Sequence, residues 1–346
     1  MRKLVLALAT CALAASPLGA QDASFEEQMA ARFEPPPEGW AMPRTQWGDP
    51  DLRGKWPVDY LGRTPRERSP ALGERAFLTD EEYERAFARA DSDLDRYEEE
   101  DKAGLMAMGH WAEFGHPLRQ SSMIVEPANG RYPPLTAQGQ EWKANERTSW
   151  NTDVFENMDD FGIFDRCLTR GMPGSMLPGA YNGGIEIFQA PGLVAISLEM
   201  IHETRLVYLD GREPPASDVQ YDLGYSVGHW EGDTLVIETT NFRPGMSMGP
   251  APNSDQLRIT ERLTLMNDNQ IHYEAWVRDP VVMEGHYKID LPWLREDDYG
   301  MYEYACHEGN VQIRGYITAT SPRFAEERAQ AWIEQGEEPS EGVPVR

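Results

Sequence analysis

The side chains best suited to acid/base chemistry lie in residues 198–205, at the end of an otherwise apolar run. Glu199 supplies a carboxylate, His202 an imidazole and Arg205 a guanidinium. An imidazole titrates near neutral pH, and a neighbouring carboxylate can orient it. Residues three apart on a regular strand point to opposite faces, so Glu199 and His202 could meet one ligand only at a bulge or a strand end. The alternative is that Glu199 pairs with a buried arginine while His202 only caps the strand.

A second set of polar and aromatic side chains lies in residues 301–308. Tyr302, Tyr304 and Cys306 alternate there with other side chains, which is typical of a strand whose mixed face lines a pocket. His307 belongs to this second segment. We predict that His202 and His307 form an acid/base pair, oriented by Glu199 and Glu308. The predicted ligand-binding residues are Tyr181, Asn182, Arg205, Trp230, Asn241, His272 and Tyr304. An exposed amphipathic face is the alternative interpretation.

The composition excludes several other functions. With 32 basic against 58 acidic residues, the 346-residue chain carries a net charge of −26, which argues against binding to nucleic acid or to anionic lipid. The histidines form no compact ligand pair, so no metal site is predicted. A Gly-x-Ser-x-Gly sequence at 224–228 lacks a strand-to-helix setting, so Ser226 is not predicted to be a nucleophile. No phosphate loop or dinucleotide fingerprint is present, and no cofactor is predicted.

The N-terminus and the cysteines predict export. Residues 1–20 combine a basic start, a short apolar run and a small residue at the end, as in a secretory signal peptide. Cleavage would remove Cys11 and leave Cys167 and Cys306 in a periplasmic or secreted protein. An oxidising compartment favours a disulfide between them. Two buried free thiols are the alternative.

The rest of the chain predicts a mainly β protein. Residues 21–180 are rich in proline and predict an N-terminal wrapping arm, with a helix near 79–100 that Thr79 and Glu82 would cap. Residues 181–320 predict an antiparallel meander closed into a lipocalin-like barrel, with a β-sandwich as the alternative. Residues 321–346 predict a C-terminal helix and tail. The predicted strands are 185–190, 193–201, 205–209, 234–239, 257–266, 270–277, 283–290, 301–306 and 311–318.

Several motifs together resemble a family of largely uncharacterised exported proteins from acidobacteria and proteobacteria. The motifs are Glu-Met-Ile-His at 199–202, Leu-Asp-Gly-Arg at 209–212, Gly-His-Trp-Glu-Gly-Asp-Thr-Leu at 228–235, Glu-Thr-Thr-Asn-Phe at 238–242 and Tyr-Glu-Tyr-Ala-Cys-His-Glu-Gly-Asn at 302–310. The resemblance covers most of the chain and implies a lipocalin-like barrel. It also implies that the two cysteine segments pair, which would bring His307 and Glu308 to the barrel rim.

These residues lead to a functional hypothesis. The leading expectation is an exported, cofactor-independent enzyme of the lyase, isomerase or hydratase type, acting on an apolar or aromatic small molecule by proton transfer. The rival expectation is a lipocalin-like protein that binds a hydrophobic ligand without catalysis. A third interpretation, an envelope scaffold without a pocket, rests only on the proline-rich arm. The chain is not expected to be an integral membrane protein, and it could form a homo-oligomer.

Overall fold

A computed structural model describes residues 24–105, 113, 115–247 and 249–334. The predicted signal peptide and residues 335–346 of the predicted tail lie outside these ranges. Ten strands form one mixed sheet. They are β1 (Gly54–Lys55), β2 (Ile124–Glu126), β3 (Ile185–Ala190), β4 (Leu193–Leu198), β5 (Thr204–Tyr208), β6 (Tyr225–Glu231), β7 (Thr234–Thr240), β8 (Arg258–Asn267), β9 (Gln270–Arg278) and β10 (His286–Leu294).

The sheet curls into a half-barrel with the strand order β1-β3-β4-β5-β6-β7-β8-β9-β10-β2. The protein is therefore mainly β as predicted, but the predicted closed barrel is wrong because β1 and β2 lie at opposite edges. Both edge strands are only two or three residues long, which limits the exposed backbone without closure.

The predicted antiparallel meander is also interrupted. Strand β6 pairs with β5 in parallel, through Val207 opposite Ser226. Residues 209–224 connect the two strands and are long enough to return the chain to the starting end of β5. The other pairs among these ten strands are antiparallel, including the long hairpins β6–β7 and β8–β9.

Two predicted strands are wrong. Residues 301–306 form irregular backbone leading into a turn, and residues 311–318 fall mostly in helix α4 (Gln312–Thr320). Ile313 and Ile317 are partly buried apolar side chains of this helix, and their separation of four residues places them on one helical face. Strand β6, in contrast, was not predicted as a strand.

Within the described ranges, four further α-helices lie outside the sheet: α1 (Phe25–Ala30), α2 (Asp80–Lys102), α3 (Ala137–Asn145) and α5 (Ala325–Glu334). The predicted capping box of α2 is confirmed, since the Thr79 hydroxyl accepts from the Glu82 backbone while the Glu82 carboxylate accepts from the Thr79 backbone. Among the described residues, no helix has both the length and the apolar character needed to cross a bilayer.

The core fills one face of the sheet. Long strands alternate buried and partly exposed residues, so Ile259, Leu263 and Ile271 point into this core. The proline-rich segment also contributes to it, because the fully buried Trp56 belongs to the same apolar cluster. Trp293 stacks on Tyr273 with ring centroids 4.4 Å apart. The inner face of the sheet is thus filled by side chains.

Candidate functional site

An open cleft of about 600 Å³ lies beside the end of the sheet. Residues from three segments line it, 149–165, 181–182 and 303–316. We call it the Tyr181–Tyr304 cleft. The aromatic side chains in its lining are Trp150, Phe164, Tyr181, Tyr304 and Tyr316. Of the residues predicted to bind or act on a ligand, Tyr181, Asn182, Tyr304 and Glu308 lie in this lining.

A disulfide holds the cleft together. Cys167 and Cys306 are bonded across 139 positions of sequence, with their Cα atoms 5.7 Å apart, as predicted. Asn310 adds a second link, since its side-chain nitrogen donates to the carbonyl oxygen of Asp165 at 3.0 Å. The bond fits an oxidising, non-cytoplasmic compartment.

Two tyrosines form one wall of the cleft. The rings of Tyr181 and Tyr304 lie 6.1 Å apart between centroids and are inclined by 25°, while their hydroxyl oxygens are 3.5 Å apart. Burial, followed by the neighbouring Tyr181, raises the pKa of Tyr304 above its usual value. The Tyr304 phenol therefore stays protonated at neutral pH and can donate a hydrogen bond.

A buried carboxylate lies beneath the cleft. Glu199 is 2% exposed and accepts a hydrogen bond at 2.8 Å from the side-chain nitrogen of Asn182, which lines the cleft. It also accepts from the Tyr299 hydroxyl at 2.7 Å and from the backbone nitrogens of Gly184 and Tyr302, each at 3.1 Å. The carboxylate oxygens of Glu199 thus accept from four donors. Asn182 thus connects this carboxylate to the cleft.

A second buried carboxylate shares the Tyr299 hydroxyl. Asp59 lies 3.2 Å from that oxygen and accepts from the Gly183 backbone nitrogen at 2.6 Å. Burial, and then repulsion from Glu113 and Glu199, raises the pKa of Asp59 to about 7. The Tyr299 hydroxyl has a single proton, so it cannot donate a hydrogen bond to both carboxylates at once. Asp59 is accordingly the group here that exchanges a proton near neutral pH.

The backbone around the cleft is unusual. Asn182, Ile201, His202 and Cys167 have positive φ angles of 52°, 62°, 40° and 56°. The left-handed region is especially unfavourable for a β-branched residue such as Ile201. Residues in such conformations cluster at functional sites, where the surrounding structure holds them in place.

These conformations resolve the spacing problem between Glu199 and His202. Strand β4 ends at Leu198, and a helical turn over Met200–His202 follows, so the two residues no longer alternate across a strand. The Nδ1 atom of His202 lies 2.8 Å from the backbone oxygen of Tyr304. His202 is therefore tied to the cleft segment, although its side chain is exposed.

The two predicted catalytic imidazoles are both exposed. His307 follows the disulfide and, like Glu308, lies at the surface. No hydrogen bond joins His202 to His307 in the part of the chain that the structure describes. Their proposed cooperation as an acid/base pair stays a prediction.

Arg205 lies away from the cleft, in the core. Its guanidinium forms an ion pair with Glu261 and donates to Ser226 Oγ at 2.9 Å and Thr239 Oγ1 at 2.7 Å. Tyr273 donates to the same glutamate at 2.9 Å. Arg205 and Glu261 are at most 2% exposed. The sequence alternative was an ion pair between Glu199 and a buried arginine. The structure has a buried arginine in an ion pair, but its partner is Glu261 and not Glu199.

The remaining predicted ligand-binding residues also lie elsewhere. Trp230 is on β6 and packs against the core. Asn241 donates to the backbone oxygens of Pro215, Ala216 and Val219, and so holds the loop after β5. His272 is on β9, next to Asp290.

His272, Glu274 and Asp290 are the one described set whose ligand atoms could approach a metal, lying within 4.8 Å of one another. Two cations already neutralise them. Lys288 Nζ lies 2.7 Å from Glu274 Oε1, and Arg32 forms an ion pair with Asp290. The fixed positive charges would repel a metal ion, so this cluster is a salt-bridge network.

Sequence reasoning missed several residues at the cleft, among them Asp59, Glu113, Trp150 and Tyr299. A weak signal existed for Asp59, which is a lone acid between the apolar Val58 and Tyr60. Tyr299 follows two aspartates in a polar stretch and gave no signal.

No family model, curated protein or solved structure matches this chain. The resemblance to exported proteins therefore stays a prediction, and the function has to be argued from the cleft itself.

Proposed function

We propose that the protein binds a small organic molecule with an aromatic or apolar body in the Tyr181–Tyr304 cleft. The observation that carries this proposal is the cleft of about 600 Å³, with two near-parallel tyrosines in its wall and Asn182 linking it to the buried Glu199. Rings supply contact area in such sites, and a few fixed polar atoms orient the ligand. The disulfide and the strained backbone keep these groups in place.

Binding is a better match to this geometry than catalysis by a pair of histidines. Proton transfer needs a base within hydrogen-bond reach of the ligand, or one bridging water away. His202 and His307 are exposed, and the carboxylate oxygens of Glu199 already accept hydrogen bonds from four donors. An Asn182 amide, which is a poor proton carrier, separates that carboxylate from the cleft.

One observation favours turnover as the second candidate function. A carbonyl oxygen only accepts hydrogen bonds, so the contact with the Tyr304 carbonyl places the proton of neutral His202 on Nδ1. The Nε2 atom is then the basic nitrogen. An acid/base enzyme that uses His202 alone is therefore the alternative to a pure binding protein.

Native mass spectrometry of protein purified from its own compartment tests binding. We expect an adduct of a few hundred daltons on the wild type and its loss from Ala305→Trp, which would fill the cleft. Ala88→Trp, on the exposed face of α2, is the matched control and should keep the adduct. A wild type without an adduct, or one retained equally by Ala305→Trp, would overturn the proposal.

The released molecule then separates the two candidate functions. If the protein is an enzyme, the wild type should convert it, whereas His202→Ala should bind it with nearly unchanged affinity and convert none. A molecule that the wild type binds and never changes identifies a binding protein.

A further inference from the structure

We propose that the ligand of the Tyr181–Tyr304 cleft is an organic cation, a quaternary or protonated amine attached to an aromatic or apolar body. This inference rests on the proposed function and names the ligand class of the same site. Three independent features of the cleft carry it: its charge, its rings and an unpaired acceptor.

The charges that line the cleft are all negative. Asp165, Glu303 and Glu308 belong to the lining, which contains no Lys, Arg or His among the described residues. The Asp165 carboxylate accepts from the Ser149 hydroxyl at 2.6 Å and from the backbone nitrogens of Ser149 and Gly162, each at 3.0 Å. Glu303 and Glu308 are exposed and form no ion pair within the described ranges. A bound cation would gain Coulomb energy from all three.

The rings at the cleft suit a cation. The Trp150 side chain is 90% exposed although it is large and apolar, which is unusual for an indole without a ligand or partner. Tyr316 and Tyr304 line the same cleft. The faces of indole and phenol rings attract ammonium groups, with Trp the strongest, and several rings around one site form a cage for quaternary ammonium.

The third feature is an acceptor without a donor. Asn310 lines the cleft, and its side-chain nitrogen donates to the Asp165 carbonyl oxygen and lies 3.2 Å from the Cys167 sulfur. Its side-chain oxygen is buried and has no hydrogen-bond partner among the described residues. A buried acceptor left unpaired is costly, and the N–H of a protonated amine would satisfy it. A quaternary ammonium has no N–H, so its binding would rest on the charge and the rings alone.

The buried Arg170 opposes this charge, because its guanidinium interacts electrostatically with Tyr181 and Tyr304. Burial, followed by Arg66, lowers the pKa of Arg170 to about 10, so it remains charged at neutral pH. One guanidinium against three lining carboxylates leaves the cleft negative, on a chain whose net charge is −26.

A pair of probes of equal shape tests the inference. The 4-hydroxyphenyltrimethylammonium ion and 4-tert-butylphenol differ in one atom, a charged nitrogen or a neutral carbon. By titration calorimetry at low salt, we expect the cation to bind at least roughly tenfold more tightly, as expected for charge plus ring attraction. Raising the salt concentration should reduce the preference.

Variants locate the effect in the cleft. Glu308→Gln and Trp150→Leu should each lower the affinity for the cation about two- to fivefold and leave that for the neutral probe nearly unchanged. Glu327→Gln removes the same charge from the exposed face of α5 and should change neither. Circular dichroism confirms that each variant is folded.

The outcomes distinguish this inference from the proposed function. Equal binding of the two probes, or a cation preference that Glu308→Gln and Trp150→Leu leave intact, would overturn the cationic class. Binding of neither probe would overturn it too. In each case the adduct seen by native mass spectrometry, and its loss from Ala305→Trp, still decides whether the cleft binds a small molecule at all.

Discussion

Asp59 and Glu199 show how single residues set the electrostatics of the site. Both contact the one hydroxyl of Tyr299, and Glu199 accepts from three further donors. Asp59 has two hydrogen-bond donors and lies near two other carboxylates. Burial without sufficient compensation favours the neutral acid. Asp59 therefore exchanges a proton near neutral pH, close to a cleft lined by carboxylates.

Replacing Asp59 by Asn should change how stability depends on pH. The pKa of Asp59 is about 7 in the folded protein and near 3.8 in the unfolded chain, so between these values only the folded state holds the proton. Stability therefore falls as pH rises through this window, and the loss is complete above pH 7. Asp59→Asn should make the free energy of unfolding fall less steeply with pH. Chemical denaturation at pH 4, 6 and 8 measures this free energy.

Glu203 provides the matched control for this experiment. Burial raises the pKa of Glu203 to about 7 as well. Glu203→Gln should therefore reduce the fall of the unfolding free energy with pH by a similar amount, and the Asp59→Asn/Glu203→Gln double variant should show the sum of the two reductions. A profile of Asp59→Asn parallel to that of the wild type would show that Asp59 titrates normally in the folded protein.

At the residue level, the structure places four of the predicted site residues close together, while their role stays a prediction. Tyr181, Asn182, Glu199 and Tyr304 were predicted, and the structure brings them together. Their partners could not be predicted in the same way, because Tyr299 reaches Glu199 only through tertiary folding. Sequence distance carries no information about such contacts.

At the level of elements, a buried polar network links five neighbouring strands. Arg205 on β5, Ser226 on β6, Thr239 on β7, Glu261 on β8 and Tyr273 on β9 are joined by hydrogen bonds in the core. Each donor and acceptor requires one register of its strand, and the network spans the parallel β5–β6 pair. A shift by one residue would turn these groups to the other face and leave the guanidinium unpaired.

Removing one partner from this network should be severe. Glu261→Gln leaves the buried Arg205 without a counter-charge, and we expect it to lower the free energy of unfolding by about 3 to 5 kcal/mol. Tyr273→Phe removes a single hydrogen bond and should cost only about 1 kcal/mol. Urea denaturation measures both.

The double variant Arg205→Met/Glu261→Leu is the control for charge. It removes both charges, so it should be less destabilised than Glu261→Gln. A Glu261→Gln protein as stable as Tyr273→Phe would show that the ion pair contributes little, and that water or neighbouring groups compensate the guanidinium.

The elements themselves were predictable where one face is buried. Strands β3, β8 and β9 follow from alternating apolar residues, because each has a core side and an outer side. Residues 311–318 mix β-branched and polar residues, a pattern that short segments share between strand and helix. Whether the sheet closes into a barrel could not be predicted, because this depends on whether its two edge strands, which are distant in sequence, pair with each other.

At the scale of the whole molecule, links between distant segments place the cleft outside the sheet. Arg32, near the start of the described chain, forms an ion pair with Asp290 on β10. The disulfide joins Cys167 to Cys306, and so holds the irregular segment after β10 against the loops that precede β3. The apolar core fills one face of the half-barrel, and the segments outside the sheet line the cleft that we propose as the binding site.

Loss of the disulfide should therefore affect stability and binding together. The bond closes a loop spanning 139 positions, and in the chain-entropy model such a loop stabilises the folded state by about 5 kcal/mol. We expect Cys167→Ser/Cys306→Ser to lower the urea midpoint accordingly. Because Tyr304 and Glu308 lie on the released segment, the variant should also lose its ligand adduct under conditions where it remains folded.

The comparison with Thr79→Ala separates the two effects. This substitution removes the N-cap of α2 and destabilises the protein by about 1 kcal/mol without altering the cleft. Urea is added to the Thr79→Ala protein until its folded fraction equals that of the cysteine variant. At this equal folded fraction, only the cysteine variant should lack the ligand adduct. If both keep it equally, the disulfide stabilises the fold and the tyrosines hold their places without it.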